Sequence, residues 1–285
     1  MNRRCVALLA SLWLTVVLSV VAGGALAAAR IGLAASQNRI WLRRSEWARE
    51  ACAQILISRW RGTSVGLAVA ETDLGGGVRC HATSALIAAK ANVNLADPAT
   101  LRRLICADSL VAALLDWEDA DDVARPEGAE AKWYRSMHRE LPRNGALASM
   151  EEMALIRGFD RPTMARLREL LTTDGNGTVD LNGASLEVLA ALPGMTRGAL
   201  VEIAHRRALG RRIQGLGDLA GTLEPGAREV LMASYQSLER QTATASEELL
   251  ATVTGRVVGT GILSSMELTL TAAGSRLAVT WRKAQ

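Results

Sequence analysis

MNRRCVALLASLWLTVVLSVVAGGALAAAR, residues 1–30, sets Arg3 and Arg4 ahead of an uncharged run that ends at Arg30. About 20 mostly apolar residues cross a hydrocarbon core of about 30 Å, so residues 6–29 read as one membrane-inserting helix. A secretory signal would have a shorter apolar region, about 7–15 residues, followed by small residues at a cleavage site, and Ala25-Leu26-Ala27 offers such a site. Either reading exports the rest of the chain. Arg3 and Arg4 favour a cytoplasmic N-terminus, while Arg30, Arg39, Arg43 and Arg44 lie beyond the span. Because only the first two precede it, the expected orientation is N-in, with the remaining chain outside the cytoplasm.

Working outward, no proline occurs before Pro98. Ile31, Ile40, Trp41, Trp47, Ala48, Ala51, Ile55, Leu56 and Trp60 recur at spacings compatible with one helical face. The membrane helix is therefore expected to continue over residues 6–61, about 80 Å at about 1.5 Å per residue, with Gly23, Gly24 and Gly32 as weak points and Gly62 as its end. Residues 64–70 and 78–83 read as strands of a hairpin around the turn-rich 73–77. At the other end, residues 249–258, 266–271 and 276–282 read as strands, with turns at 259–261 and 273–274. Residues 85–224 between them are rich in helix formers and punctuated by Pro98, Pro126, Pro142, Pro162 and Pro193. Within this block Ala91-Asn92-Val93-Asn94-Leu95-Ala96-Asp97 is echoed around Val179-Asp180-Leu181-Asn182-Gly183-Ala184-Ser185. Each places a short extended piece before an Asp or Ser able to cap the next helix, so two related helical units are expected.

A net charge of +4 on 285 residues, much of it beside the span, gives no argument for a polyanionic partner. Beyond the span the length suits one large domain or two ordinary ones. The cysteines are Cys5, Cys52, Cys80 and Cys106. Export permits a disulfide, and Cys80 with Cys106 is the first pair to test, although spacing fixes no connectivity and one thiol would be left over. His81, His138 and His205 are scattered and fall in no nucleophile, zinc or phosphate-cradling pattern, so no enzyme is expected.

Residues 179–195, ending in Leu192-Pro193-Gly194-Met195, continue into Ala204-His205-Arg206-Arg207 and Leu216-Gly217-Asp218-Leu219, which resembles a helix-hairpin-helix unit. Backbone N–H groups at the second helix could hold a phosphate, helped by Arg197, Arg206, Arg207, Arg211 and Arg212. An extracytoplasmic location removes the usual nucleic-acid partner, and the same turn serves plain helix packing, which is the expectation here. Leu115-Asp116-Trp117-Glu118-Asp119-Ala120-Asp121-Asp122, followed by Gly128-Ala129-Glu130 and Trp133-Tyr134, gathers carboxylates at a helix end and loop. It is either a solvated acidic face with Trp117 in the core or a calcium site, in which case Asp119, Asp121 and Asp122 are the candidate ligands. Asp174-Gly175-Asn176-Gly177-Thr178-Val179-Asp180 matches the opening of an EF-hand loop. It lacks the sixth-position glycine and the twelfth-position acid, so it reads as a glycine-rich loop with Asx turns.

In order, the features are a basic leader, Val6-Ala7-Leu8-Leu9, a strand pair, Lys90-Ala91-Asn92-Val93-Asn94-Leu95, the acidic run with Gly128-Ala129-Glu130 and Tyr134, Leu147-Ala148-Ser149-Met150-Glu151-Glu152-Met153, Ile156-Arg157-Gly158 and the Val-Asp-Leu-Asn unit. That order resembles the type II secretion system minor pseudopilin K family across essentially the whole chain. The resemblance implies an α+β, pilin-like fold, a long N-terminal membrane helix packed on a small antiparallel sheet with a large helical domain inserted between strands. The boundaries implied are a leader 1–5, a membrane helix 6–29, helix continuation and first strands 30–84, the insert 85–225, and a connecting helix with C-terminal strands 226–285. It also implies calcium in the helical domain, and a single-pass inner-membrane protein with a periplasmic body.

The implied role is a place at the tip of a pseudopilus assembled with the minor pseudopilins I and J. The assembly helix would begin Val6, Leu8, Leu9, Ala10, Leu12. If processing occurs before Val6, the fifth mature residue is Ala10, where most pilins carry the glutamate that reaches a neighbour's amine, and a subunit without it suits a cap. The prepilin peptidase prefers glycine before its cut, and Cys5 stands there, so cleavage at the Cys5-Val6 bond is the point at which this sequence departs from the pattern. The rival reading is a membrane-tethered helix-hairpin-helix DNA-binding protein of the competence type, which leaves the flanking strands and the acidic run without a purpose.

Overall fold

The computed structural model describes residues 3–60, 66–274 and 276–284, with side chains from residue 12 onward. The side chains of Cys5, Val6, Leu8, Leu9 and Ala10, and the expected helix end at Gly62, lie outside the described residues. Helix α1 (Arg3–Ser58) is one continuous helix of 56 residues. Its glycines do not interrupt it, and nothing lies within 4 Å of where a Cβ would stand at Gly23, Gly24 or Gly32. From Leu12 onward it is long and apolar enough to cross a membrane.

Strands β1 (Ala68–Gly75) and β2 (Val78–Leu86) form the expected hairpin. The insert then runs through β3 (Ala91–Asn92), α2 (Pro98–Ile105), α3 (Asp108–Glu118), α4 (Ala131–Ser136), α5 (Arg161–Leu170) and β4 (Leu171–Thr172). It continues through β5 (Val179–Asp180), α6 (Leu186–Ala191), α7 (Arg197–Ala208), α8 (Leu216–Thr222), α9 (Pro225–Ala233), α10 (Tyr235–Gln241) and β6 (Thr242–Ala243). Strands β7 (Glu248–Val257), β8 (Leu263–Ala273) and β9 (Arg276–Ala284) complete an antiparallel sheet of order β1-β2-β7-β8-β9. The insert thus separates two strands, β2 and β7, that are neighbours in space, so the sheet closes around its ends.

Alternation along β7 and β8 turns Leu249, Ala251, Val253, Met266, Leu268 and Leu270 to one face, where they bury Ala48, Cys52, Ala53, Leu56 and Trp60 of α1. Small residues let the helix come close. The helical face expected from periodicity divides in two: Ala48 and Leu56 dock on the sheet, together with Ser45 and Cys52, whereas Ile31, Ile40 and Trp47 stay exposed. The sheet covers only one side of the last turns of α1, and Trp47 stays exposed between buried Ser45 and Ala48.

The disulfide joins Cys52 to Cys80, with Cα atoms 5.9 Å apart. This corrects the expectation of Cys80 with Cys106. Cys80 sits on the β2 face turned toward α1, opposite Cys52, while Cys106 caps α2 inside the insert, exposed and unbridged. Replacing both Cys52 and Cys80 by alanine is expected to lower the unfolding free energy by about 2–4 kcal/mol, because the bond restricts the unfolded chain. Denaturant unfolding of the two forms, each with and without reductant, checks this; only the wild type should respond to reductant.

The insert has its own core, built around Leu101, Leu104, Leu114, Trp117, Tyr134, Met153, Leu167, Leu189 and Ile203. Leu231 and Leu238 are buried in that same core. The helical domain therefore extends past the expected boundary at 225 to the end of α10. Two related units do form. In the first, β3 pairs in parallel with β4; in the second, β5 pairs in parallel with β6. Asp97 and Ser185 cap the helices after them, as expected.

The echo also reaches two half-buried asparagines. The Asn94 amide donates to the Leu147 carbonyl at 3.1 Å and accepts from its N–H at 2.8 Å. Asn182 donates to the Ile213 and Thr244 carbonyls at 3.0 and 2.9 Å and accepts from the Ile213 N–H at 2.8 Å. Each asparagine so pins a distant loop to its own unit. Asn182→Ala is expected to cost about 2–3 kcal/mol, since it strips partners from several partly buried backbone groups, and thermal unfolding measures the loss.

Candidate metal centre

Helix α3 carries Asp116 on its buried face and ends at Glu118, with Asp119 as its C-cap. The chain then loops through residues 120–129 and returns to start α4 at Glu130. Asp116 is fully buried and Glu130 is 3% exposed. One carboxylate oxygen from each of Asp116, Asp119 and Glu130 lies within 4.8 Å of the others. Trp117, on the same helix, packs edge-on against Tyr134 with ring centroids 5.3 Å apart, and the Trp117 indole donates to Glu152 at 3.1 Å. The aromatic packing holds α3 against α4, and so holds Asp116 opposite Glu130.

Arg125 supplies the positive charge nearest this cluster. Its guanidinium donates to Asp116 at 2.7 Å and also contacts Asp119. Both Glu130 carboxylate oxygens are buried without a hydrogen-bond partner, as is Asp119 Oδ1. Burial, followed by the charges of Asp116 and Asp119, pushes the Glu130 carboxyl up to about 7. Leaving a buried charged group unpaired is costly. The arrangement is short of positive charge and of donors at the point where Glu130 enters.

Gly128 is part of the construction. A Cβ there would stand 2.0 Å from Asp116 Oδ2, so only glycine lets the loop pass against that carboxylate. The Gly128 carbonyl accepts from Arg157 at 2.8 Å, and the Arg157 N–H in turn donates to the Tyr134 hydroxyl at 3.0 Å.

Of the sequence candidates, Asp119 joins the cluster, but Asp121 and Asp122 do not. Both are exposed, and Asp121 spends an oxygen on the Val123 N–H at 2.8 Å. The sequence placed the candidate ligands at the helix end and in the following loop, whereas the clustered groups are Asp116, one helical turn before Asp119, and Glu130 across the loop. The three-residue spacing of Asp116 and Asp119, which places them on one helical face, was the readable sign. Three carboxylates with orphaned oxygens fit a hard divalent cation, which takes about 6–8 oxygen ligands.

The second candidate loop behaves as expected from its composition. Asn176 Oδ1 accepts from the Thr178 N–H and hydroxyl, and Asp180 Oδ1 accepts from the Asn182 N–H, both Asx turns.

Residues 88–173, which contain this cluster, match the family model for type II secretion system protein K. Over these residues the chain is similar to that family. No curated protein matches the sequence. In fold, the chain is similar to a chain of the crystal structure of the GspK-GspI-GspJ complex from the enterotoxigenic Escherichia coli type 2 secretion system. The TM-score is 0.62 at 15% identity, over 90% of this chain and 98% of that one.

The helix pair that resembles a helix-hairpin-helix unit packs into the helical domain. Pro193-Gly194 does join α6 to α7, with Thr196 capping α7. The turn packs against the α9–α10 junction, where a Cβ on Gly194 would lie 2.6 Å from Ser234 Cβ. Three of its five arginines have partners within the helical domain, while Arg197 and Arg211 are exposed. Arg206 pairs with Glu202 and Asp218 at 2.8 and 2.7 Å, Arg207 donates to the Ala184 and Leu181 carbonyls, and Arg212 donates to Thr244.

Proposed function

We propose that this protein is the minor pseudopilin at the tip of a type II secretion pseudopilus, a non-catalytic assembly and capping subunit in the export of folded proteins across the outer membrane. The observation that carries the reading is a membrane-length helix continuous with a pilin-like sheet whose strands β2 and β7 are parted by a large helical domain. Subunits of a helical filament stack through their long helices. A body this broad on one side of the helix suits the end of the stack. Ala10, in place of the usual glutamate of pilin helices, supports the same position, because it offers no carboxylate to a subunit above.

In this reading the minor pseudopilins I and J and other pseudopilus subunits are its partners, and prepilin peptidase is its processing enzyme. The helix anchors it in the inner membrane with the body in the periplasm. A disulfide between α1 and β2 suits such an oxidising compartment. Asp116, Asp119 and Glu130 would hold calcium, which would neutralise the buried carboxylates and tie the end of α3 to the start of α4.

Co-expression of the full chain with the minor pseudopilins I and J tests the reading. A membrane-extracted complex of all three is expected, and recovery of this chain alone would overturn it. N-terminal sequencing of the protein from cells is expected to begin at Val6; a start near Ala28 would discard the assembly helix and exclude the tip role.

A further inference from the structure

Arg125 stands inside the cluster that it neutralises. Its Nη1 donates to Asp116 Oδ1 at 2.7 Å and also contacts Asp119 Oδ2, so one guanidinium nitrogen bridges two of the three clustered carboxylates. The third is left out. Both oxygens of Glu130, a residue only 3% exposed, are buried without a hydrogen-bond partner, as is Asp119 Oδ1. A guanidinium carries a single charge and donates only within its own plane, so from this position it serves Asp116 and Asp119 and leaves Glu130 bare.

The side chain can leave without taking the loop with it. The Arg125 backbone N–H donates to the two Asp116 oxygens at 3.3 and 3.2 Å, and the Arg125 carbonyl accepts from the Gly128 N–H at 2.9 Å. The Gly128 carbonyl is held in turn by Arg157 at 2.8 Å. These contacts fix residues 125–128 against α3 whatever the guanidinium does. The Arg125 side chain is 40% exposed, while that of Asp116 is 0% exposed, so the guanidinium lies at the solvent end of the cluster with an open path to water. An ion pair open to water on one side holds its partners weakly.

We propose that Arg125 is a resident counterion that a divalent cation must displace: it occupies Asp116 and Asp119 until calcium takes them together with Glu130, and the guanidinium then swings out to water. This rests on the calcium reading of the cluster given above. The exchange sets two positive charges where one stood, and an ion that accepts oxygens from every direction can face all three carboxylates at once. Arg125 therefore has two effects of opposite sign. It steadies the end of α3 and the 120–129 loop before metal arrives, and it weakens calcium binding by competing for the same carboxylates. A site with its own cation inside fills only where free calcium is plentiful, which suits a body outside the cytoplasm.

Isothermal titration of calcium into the full chain, extracted in detergent and kept at pH 8, tests the competition. Arg125→Gln is expected to bind calcium at least about tenfold more tightly than wild type, the low end of what hydrogen bonds to a charged group contribute. Its thermal unfolding in chelator should fall below that of wild type. An arginine with a structural role alone would lose stability and affinity together. Arg135→Gln removes the same charge from an exposed position on α4 outside the cluster, so its affinity should match wild type. Unchanged or weaker binding by Arg125→Gln, or equal tightening by Arg135→Gln, would overturn the competition and leave the calcium site standing. Absence of calcium binding to wild type would overturn both. Labelling of wild type with an arginine-specific dicarbonyl, read by peptide mass, needs no variant. Arg125 is expected to react faster with calcium than with chelator, and an equal or slower reaction would overturn the displacement.

Discussion

Gly255→Ala is expected to loosen helix α1 from the sheet and to lower the unfolding free energy by more than about 4 kcal/mol. A Cβ at this position on β7 would lie 2.2 Å from the Ser45 carbonyl oxygen, 2.5 Å from the Arg49 nitrogen and 3.0 Å from Ala48 Cβ. The first two are helix backbone, which cannot turn aside as a side chain can. The helix itself must back away, and that opens the seam in which Ala48, Cys52 and Leu56 are fully buried. Moving the seam apart forfeits close packing that small shifts do not restore.

Denaturant unfolding followed by circular dichroism measures the loss, and limited proteolysis should reveal new cleavage in residues 45–60. Gly221→Ala is the control. It lies at the end of α8 with nothing within 4 Å of the added Cβ, and helix propensity there favours alanine by up to about 1 kcal/mol. If Gly255→Ala unfolded within about 1 kcal/mol of wild type, helix and sheet could not approach each other this closely.

Calcium is expected to stabilise the protein in a pH-dependent way, and Glu130→Gln to remove that response. Without metal, the folded protein holds Glu130 protonated up to about 7, while in the unfolded chain it ionises near its ordinary value of 4.5. Over that window the native state binds more protons than the unfolded state. Stability of the metal-free protein therefore falls as pH rises from about 4.5 to about 7. Glu118, pushed up to about 7 by burial and then by the charge of Glu152, adds to the same fall.

Calcium requires the ionised carboxylate, so its binding should tighten across the same window and release a proton as it does so. Thermal unfolding at pH 5 and pH 8, with calcium and with chelator, reads both effects. At pH 8 wild type should gain several degrees with calcium, and Glu130→Gln should gain none. Its metal-free pH dependence should also be shallower, with the share due to Glu118 remaining. Asp122→Asn should behave as wild type, because that residue is exposed and apart from the cluster. A calcium response lost on changing Asp122 but kept on changing Glu130 would move the site into the exposed loop and refute the assignment.

The sequence alone determined the parts of this protein that are written in local periodicity. An uncharged run bounded by arginines reads as a span, because length and polarity decide that without neighbours. Residues 249–258 and 266–271 read as strands bounded by turns, and β7 and β8 form there. Asp97 and Ser185 marked helix starts, because a cap needs only its own next turn. The repeated Asn-containing segments also declared two related units.

What tertiary structure decided was every choice among distant partners. Cys80 could have bonded either Cys52 or Cys106, and the choice fell to the face on which α1 meets β2. The acidic stretch showed that carboxylates were plentiful, but which of them converge depended on the loop at 120–129 folding back so that Gly128 passes against Asp116. Leu231 and Leu238 look like any amphipathic helix residues, and only the shared core assigns them to the insert. The long helix divides the same way. Its pattern predicted a single apolar face, but the sheet covers only one side of the turns from Ser45 upward, and Trp47, between buried Ser45 and Ala48, stays exposed because it points away from that side.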